Sequence, residues 1–221
     1  MCTVNCILFG ARNLHGEEIR DKKVLEVGSR DINGSLRSFV ESRKPACYIG
    51  VDICKGPGVD VIGDAENLLD RFELDSFDLI ISTELLEHLR NWRRVISNIK
   101  NVCKPGGIIL ITTRSIDYPL HGYPHDFWRY ELEDMENIFS DCEMQVLERD
   151  PQKGVFIKAK KPLNFEEKDL SDYELYSIVV YRRVKWISDK DLGNWHYRKS
   201  IAISKLRDLA VQVGAKLYRL L

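Results

Sequence analysis

Apolar residues in this chain come in short unbroken runs separated by helical patterns, an alternation that begins at Lys23 and continues to about Lys160. Lys23 to Val27, Ala46 to Val51, Val59 to Ile62, Phe77 to Ser82 and Gly107 to Thr113 are predicted strands. Most are continuously apolar, as expected of strands covered on both faces; a sheet with one wet face would alternate. Between them the period becomes helical. In "NWRRVISNIKNVCKPGG", Trp92, Val95, Ile96, Ile99, Val102 and Cys103 fall on one stripe, and Pro105, Gly106 and Gly107 stop the helix before the next strand. "GSLRSFVES" places Leu36, Phe39 and Val40 in the same way. Strands alternating with helices imply βαβ units and a parallel sheet.

After Thr113 the pattern changes. "RSIDYPLHGYPHDFWRY" reads as a loop rich in Pro, Gly, Tyr and His, followed by a helix around Glu131 to Phe139. Two strand-like runs, Glu143 to Glu148 and Gly154 to Lys160, are joined by the turn-like "RDPQKG" as a closing hairpin, which gives the sheet an antiparallel end. Beyond Lys161 and Pro162 the chain is expected to be helical again. Ile203, Leu206, Leu209 or Ala210, Val213, Leu217 and Leu220 recur every three or four residues, while Lys205, Arg207, Gln212, Lys216 and Arg219 face elsewhere. Such a basic amphipathic helix suits packing on the body of the protein, a homodimer or other partner contact, or a membrane surface.

The chain has 221 residues, 44% hydrophobic and 30% charged, which suits an ordinary globular protein with a substantial core. Its net charge of −1 gives no bulk attraction to nucleic acid or anionic membrane. The charge is unevenly spread. From Tyr181 to Leu221 ten Lys and Arg stand against three Asp, a local +7 that leaves −8 for residues 1–180. The six cysteines form no C-x-x-C pair and have no histidine at zinc spacing, so no metal is expected. Reduced, packed thiols suit a cytoplasmic protein. The N-terminus lacks a signal-peptide pattern, and no apolar stretch is long enough to span a bilayer.

The chemistry starts at "VLEVGSRDINGS". A turn from the carboxyl end of a parallel strand into a helix lies where α/β sheets bind ligands. Gly28 would let a ligand approach the backbone and Gly34 would let the helix start tight against the strand, but G-x-G-x-x-G is absent, which weakens a dinucleotide reading. "YIGVD" ends the next strand with Asp52, 24 residues after Gly28, where a carboxylate accepts from both ribose hydroxyls or simply serves a surface turn. "IGDAENL" supplies Asp64 beside the small Ala65, suited to an adenine amino group and ring, or to helix capping.

Taken together, "VLEVGSRDINGS", "YIGVD", "GDAENL", "FDLIISTELLEHL" and "KPGGIILITT" resemble the class I S-adenosylmethionine-dependent methyltransferases, of the type 11-like group, in order, spacing and residue type over roughly residues 20–160. The resemblance implies an α/β fold: a Rossmann-like three-layer α/β/α sandwich with a mostly parallel seven-stranded sheet and an antiparallel end, plus C-terminal helices. Its domain would span 1–162, with an N-terminal helical lead-in, and 163–221 would be a basic helical extension. It also implies S-adenosylmethionine as cofactor. Glu26, Gly28 and Ser29 would surround its amino-acid part, Asp52 and Ile53 its ribose, and Asp64 and Ala65 its adenine, with Thr83 and Glu84 near the sulfonium. The departure is the turn itself, where Ser29, Arg30, Asp31, Ile32 and Asn33 replace close-set glycines. There Arg30 is expected to pair with the cofactor carboxylate, and Asn33 or Ser35 to donate to it.

Methyl transfer from a sulfonium needs alignment and desolvation, and a hydroxyl acceptor also needs a base. The candidates are His88 in "ELLEHL" and His121, His125 and Asp126 in "HGYPHDFWRY", with Arg129 nearby. His88 equally suits packing or capping, and Phe127, Trp128 and Tyr130 equally suit anchoring the loop to the core. "HDFWRY" also resembles methyltransferases of glycan and small-metabolite synthesis, which points to a small-molecule or glycan-like hydroxyl. The fourth strand runs into Ser82, Thr83 and Glu84 rather than an N-P-P-Y signature, which disfavours nucleic acid. The competing readings are a macromolecule methyltransferase guided by the basic helices and a non-catalytic partner module that keeps the fold.

Overall fold

The computed structural model describes residues 2–122 and 125–218, with side chains through Leu206. In chain order the strands are β1 (Lys23–Val27), β2 (Cys47–Asp52), β3 (Val61–Ile62), β4 (Phe77–Thr83), β5 (Cys103–Arg114), β6 (Trp128–Arg129), β7 (Glu143–Asp150), β8 (Gly154–Lys160), β9 (Leu175–Ser177) and β10 (Arg182–Val184). The α-helices are α1 (Val4–Asn13), α2 (Gly16–Ile19), α3 (Arg37–Ser42), α4 (Trp92–Val102), α5 (Leu132–Ile138), α6 (Asp189–Leu192) and α7 (Trp195–Tyr218). Seven strands form one sheet in the order β3-β2-β1-β4-β5-β8-β7. β1 to β5 pair in parallel, and β8 runs antiparallel to both of its neighbours.

Adjacent residues on each central strand enter opposite cores, which is why the sequence shows continuous apolar runs. Val24, Leu79, Ile81, Ile108, Leu110 and Phe156 pack with Phe9 and Leu14 from the N-terminal helical segment and with Leu36 and Val40. Their neighbours Leu25, Ile80, Ile109, Ile111, Val155 and Ile157 pack against the α4 stripe of Trp92, Val95, Ile96, Ile99 and Val102 and against Met135 and Ile138 of α5. The result is the three-layer sandwich that the resemblance implies.

Two departures have local causes. β3 is two residues long because Val59 and Asp60 belong to a turn, their amides donating to the carbonyls of Gly56 (3.2 Å) and Gly50 (2.9 Å). β5 begins at Cys103, which pairs with Phe77, and an irregularity in the ladder then absorbs Lys104 to Gly107.

The chain beyond Lys161 is not helical throughout, as the sequence suggested. β9 pairs with β6 of the "DFWRY" stretch on one side and with β10 on the other to form a separate antiparallel sheet, and helix resumes only at Asp189. Leu175, Ile178, Val179 and Ile187 pack in the same core as Trp92 and Trp128, which overrides the weak local helical preference. The register of α7 also differs. Tyr197, Ile201 and Ser204 are buried, whereas Ile203 and Leu206 of the expected stripe are 58% and 67% exposed. Polar anchors set that register: the Tyr197 hydroxyl donates to the Asp126 carbonyl at 3.2 Å and the Ser204 hydroxyl to the Leu120 carbonyl at 3.1 Å. The stripe positions from Leu209 to Leu217 and the basic residues Arg207 and Lys216 lie outside the described side chains, and Arg219 and Leu220 outside the described residues.

Candidate active site

The strand order reverses at β1, whose neighbours β2 and β4 lead the chain to opposite edges of the sheet. The carboxyl ends of such strands leave a crevice between diverging loops. Here that crevice is a cavity of about 730 Å³ lined by residues following β1, β2, β3 and β4, by the loop before β6 and by Leu192 of α6. Its size is that of a site for a nucleotide-sized ligand.

One wall is the turn after β1. Gly28 holds φ +79°, and a side chain there would meet Leu85 at 3.0 Å, so only glycine keeps the turn open on this side. The amides of Gly28 and Ser29 donate to the Val51 carbonyl at 2.9 and 3.1 Å. The Arg30 amide donates to Asp52 Oδ2 (3.2 Å), that of Asp31 to the Pro57 carbonyl (2.9 Å) and that of Gly34 to Asp31 Oδ1 (2.8 Å). These N–H groups are spent mostly on the next strand and its loop. A glycine-rich turn keeps them for a phosphate; here side chains remain for ligand contact. The Ser29 hydroxyl is buried with no hydrogen-bond partner among the described residues, and Arg30 lines the cavity beside Gly56.

Glu26, Asp52 and Asp64 all line the cavity. Glu26, 2% exposed, accepts from the Tyr48 hydroxyl at 2.7 Å and from Ser35 at 3.4 Å. Burial pushes its carboxyl up to about 7 against the pull of those two donors. Asp52 accepts from the Arg30 amide and, at 2.9 Å, from the Cys54 amide, which fixes its carboxylate at the rim. Asp64 lines the cavity and also caps the 3₁₀ turn Ala65–Asp70, accepting from the Glu66 amide at 2.9 Å.

At the end of β4, Thr83 and Glu84 form the floor. Glu84 holds φ +54°, a strained conformation for a residue with a side chain, and ion-pairs with buried Arg114, which also contacts Asp150 Oδ2 at 3.2 Å. The 3₁₀ turn Leu86–His88 then brings Glu87 and His88 against the loop before β6. Glu87 is 0% exposed; its Oε2 accepts from the Thr113 hydroxyl at 2.9 Å, while His121 Nε2 and His88 Nε2 face its Oε1 at 3.7 and 3.9 Å. Burial acts to raise the Glu87 carboxyl, but the neighbouring His121 and His88 outweigh it and hold it below the usual range. Burial likewise acts to lower His121, and Asp126 with Glu87 raises it instead.

Of the expected site residues, Glu26, Gly28, Ser29, Arg30, Gly34, Asp52, Ile53, Asp64, Thr83, Glu84, His88 and His125 all line this cavity. Asn33, Ala65 and Asp126 do not. Ala65 packs against the core beside Leu68. Asp126 is 0% exposed because Arg129 donates to both its oxygens, at 2.6 and 2.8 Å, and its Oδ2 lies 3.1 Å from His121 Nδ1, so it stands behind His121 and not on the wall. Arg129 is thereby a buried partner and not a substrate-facing cation. Sequence reasoning missed Leu85, Arg90 and Leu192, which close the cavity, and the convergence of Glu87 with His88 and His121. "ELLEH" carried the signal for Glu87, but its partner His121 lies 34 residues later on a loop without periodicity.

Known proteins extend this picture. The protein family described as "Methyltransferase domain" matches residues 7–148. A phthiotriol/phenolphthiotriol dimycocerosates methyltransferase of Mycobacterium ulcerans is 33% identical over 107 residues, covering 43% of this chain and 38% of that protein. A Mycobacterium tuberculosis protein of the same description is 33% identical over 102 residues, covering 41% and 37%. The matches thus span less than two fifths of these relatives' length. The fold matches a Burkholderia thailandensis 1,6-didemethyltoxoflavin-N1-methyltransferase (TM-score 0.59, 14% identity, 71% of this chain and 78% of that one). It also matches an S-adenosylmethionine-dependent methyltransferase from Mesorhizobium loti (TM-score 0.56, 15% identity, 71% and 98%). With a family match over well more than half its length and the sheet order, switch-point cavity and carboxylate series described above, the chain belongs to the methyltransferase-domain family of class I S-adenosylmethionine-dependent enzymes.

Proposed function

We propose that this methyltransferase acts on a hydroxyl group of a small-molecule or glycan-like acceptor, with S-adenosylmethionine held along β1, β2 and β3. The residues present fit that cofactor. Buried Glu26 would offer a carboxylate to the cofactor's ammonium, Asp52, anchored at the end of the next strand, would accept from its ribose, and Asp64 would accept from its adenine; all three line the cavity. Arg30 and the unpartnered Ser29 hydroxyl are the donors left for the cofactor's carboxylate once the turn has used its own amides. When bound, the cofactor supplies an electrophilic methyl group on sulfur. The protein then has to desolvate, orient and deprotonate the acceptor.

The observation that carries the hydroxyl reading is the pair of imidazoles, His88 and His125, on the cavity wall beside Thr83 and Glu84 at the end of β4. A neutral imidazole there takes an acceptor proton at working pH. Asp126 is a positioning residue in this scheme, aligning His121 and the loop from its buried pair with Arg129. The mycobacterial relatives, whose names specify phthiotriol and phenolphthiotriol substrates, support a small lipid-like or alcohol acceptor. Turnover at saturating cofactor with His125→Ala and Asp126→Ala tests the reading, using a panel of alcohols and glycosides. The expected loss for His125→Ala is about 100-fold or more in kcat. Unchanged rates for both variants would overturn it.

A further inference from the structure

We infer that Glu87, His88 and His121 form a binding site for one divalent transition-metal ion at the acceptor end of the cavity. One ligand atom from each residue lies within 4.8 Å of the other two, and Glu87 Oε1 is 3.7 and 3.9 Å from Nε2 of His121 and His88. Their polarity is what identifies the site. His88 Nδ1 bonds to the His125 carbonyl oxygen, which can only accept, so Nδ1 carries the proton and Nε2 presents a lone pair. His121 Nδ1 lies 3.1 Å from Asp126 Oδ2 without hydrogen-bond geometry. The Nε2 atoms of His88 and His121 face Glu87 Oε1 at 3.9 and 3.7 Å, distances too long for hydrogen bonds. Glu87 Oε1 is itself fully buried with no hydrogen-bond partner among the described residues. With both imidazoles neutral, three acceptors converge without a donor, an arrangement that a cation resolves.

The surroundings are those of a metal centre. Ligating histidines almost always turn their second nitrogen to a carboxylate or a backbone carbonyl; here His88 Nδ1 bonds to the His125 carbonyl, His121 Nδ1 lies 3.1 Å from Asp126 Oδ2, and Thr113 orients the ligating carboxylate from its other oxygen. Arg129 fixes Asp126 in turn. Ligands of a tetrahedral ion stand about 3.3 Å apart when bond lengths are about 2.0 Å, so the two Glu–His pairs, at 3.7 and 3.9 Å, contract by about half an ångström and the widest pair, within 4.8 Å, by up to about 1.5 Å. Two imidazoles and one carboxylate select zinc, iron(II), manganese or cobalt over magnesium or calcium, which favour all-oxygen sets. His88 and Gly122 line the cavity, so a coordination position opens towards the acceptor.

The consequence rests on the hydroxyl-acceptor reading above. An acceptor hydroxyl ligated to the ion is acidified by the Lewis acid. Its O–H bond breaks with the proton passing to the His125 imidazole; the oxygen electron pair forms the O–CH3 bond, and the pair of the breaking S–CH3 bond stays on sulfur.

The test is calorimetric titration of the chelator-stripped full chain with Zn2+ alone, supported by Co2+ absorption spectra. One equivalent is expected to bind with a Kd below about 1 μM, weakened roughly 100-fold or more by His88→Ala or His121→Ala and roughly 10-fold or more by Asp126→Asn. Thermal melts identify any variant that fails to fold, and His121→Gln then serves in place of His121→Ala. Absence of one-equivalent binding by the wild-type chain would overturn the inference, as would equal binding by the folded histidine variants, which would place the ion elsewhere. Titration of the stripped chain with S-adenosylhomocysteine separates the two claims: cofactor binding without Zn2+ binding removes the metal site and leaves the methyltransferase reading standing.

Discussion

Replacing Glu26 by Gln removes a negative charge at the buried end of β1 while keeping the side chain's shape and its ability to accept from Tyr48. A carboxyl held at about 7 instead of its ordinary 4.5 ionises in the folded chain at a cost of about 3 kcal/mol. Between those two values the native protein keeps a proton that the unfolded chain has released. Stability therefore falls as pH rises from 4.5 to about 7 and is level above it. Glu26→Gln lacks this slope, so at pH 8 it is more stable than the wild type by up to about 3 kcal/mol, and near pH 4.5 the two are alike. Cofactor binding moves the other way. Loss of a charge-assisted contact to the cofactor's ammonium costs about 1.5 to 3 kcal/mol, or roughly 10- to 150-fold in Kd. The wild type also releases a proton on binding at pH 6, because the ammonium draws Glu26 into its ionised form. Urea unfolding at pH 5 and pH 8, with calorimetry of S-adenosylhomocysteine in buffers of different ionisation enthalpy, measures all three effects. A variant that binds the ligand as tightly as wild type, with the same pH slope of stability, would refute the assignment; a merely damaged fold would lose stability and binding together.

Other residues carry separable expectations. Arg30→Ala is expected to weaken S-adenosylhomocysteine binding about 10-fold with little change in melting temperature; unchanged affinity assigns the cofactor carboxylate to other donors. Asp52→Ala removes the ribose acceptor and the clamp on the Arg30 and Cys54 amides, and the expected loss is roughly 10- to 100-fold in affinity, read by the same titration. Arg129→Met leaves the Asp126 carboxylate buried without its partner, which costs about 3 to 5 kcal/mol of stability by chemical denaturation; a loss under about 1 kcal/mol would contradict the buried pairing. Gly28→Ala forces a side chain at φ +79° against Leu85, and denaturation should show about 1 to 2 kcal/mol of destabilisation together with weaker cofactor binding.

The sheet was legible because its strands are buried on both faces. Val24 and Leu25, or Ile80 and Ile81, enter different cores, and only a sandwiched strand needs both to be apolar. The placement of Glu26, Asp52, Asp64 and Glu84 was legible for a related reason: each ends or immediately follows a strand, and strand ends converge at the switch point whatever the loops do. The fate of the glycine-poor turn was not. Its amides are consumed by Val51, Asp52 and Pro57, partners contributed by the next strand and loop, which no local pattern reveals. Segment 163–188 misled because β9 and β10 are three residues each and owe their form to pairing in one sheet with β6 and to burial beside Trp128. The helical period of α7 was read correctly, but its buried face was assigned to Ile203 and Leu206 when hydrogen bonds from Tyr197 and Ser204 set it elsewhere. Residue types at the acceptor end were visible too. Their geometry depends on a loop folded back over Glu87, in which Asp126 stands behind His121 and not on the cavity wall.

The central claim is that the cavity above β1, β2 and β4 is built for S-adenosylmethionine. Isothermal calorimetry of the wild-type chain with S-adenosylhomocysteine tests it most directly. The account predicts saturable binding of one ligand per chain in the micromolar range, abolished or strongly weakened in Asp52→Ala. A flat thermogram at ligand concentrations up to about 1 mM, a Kd above the affinity expected of any specific site at roughly −4 kcal/mol, would contradict it.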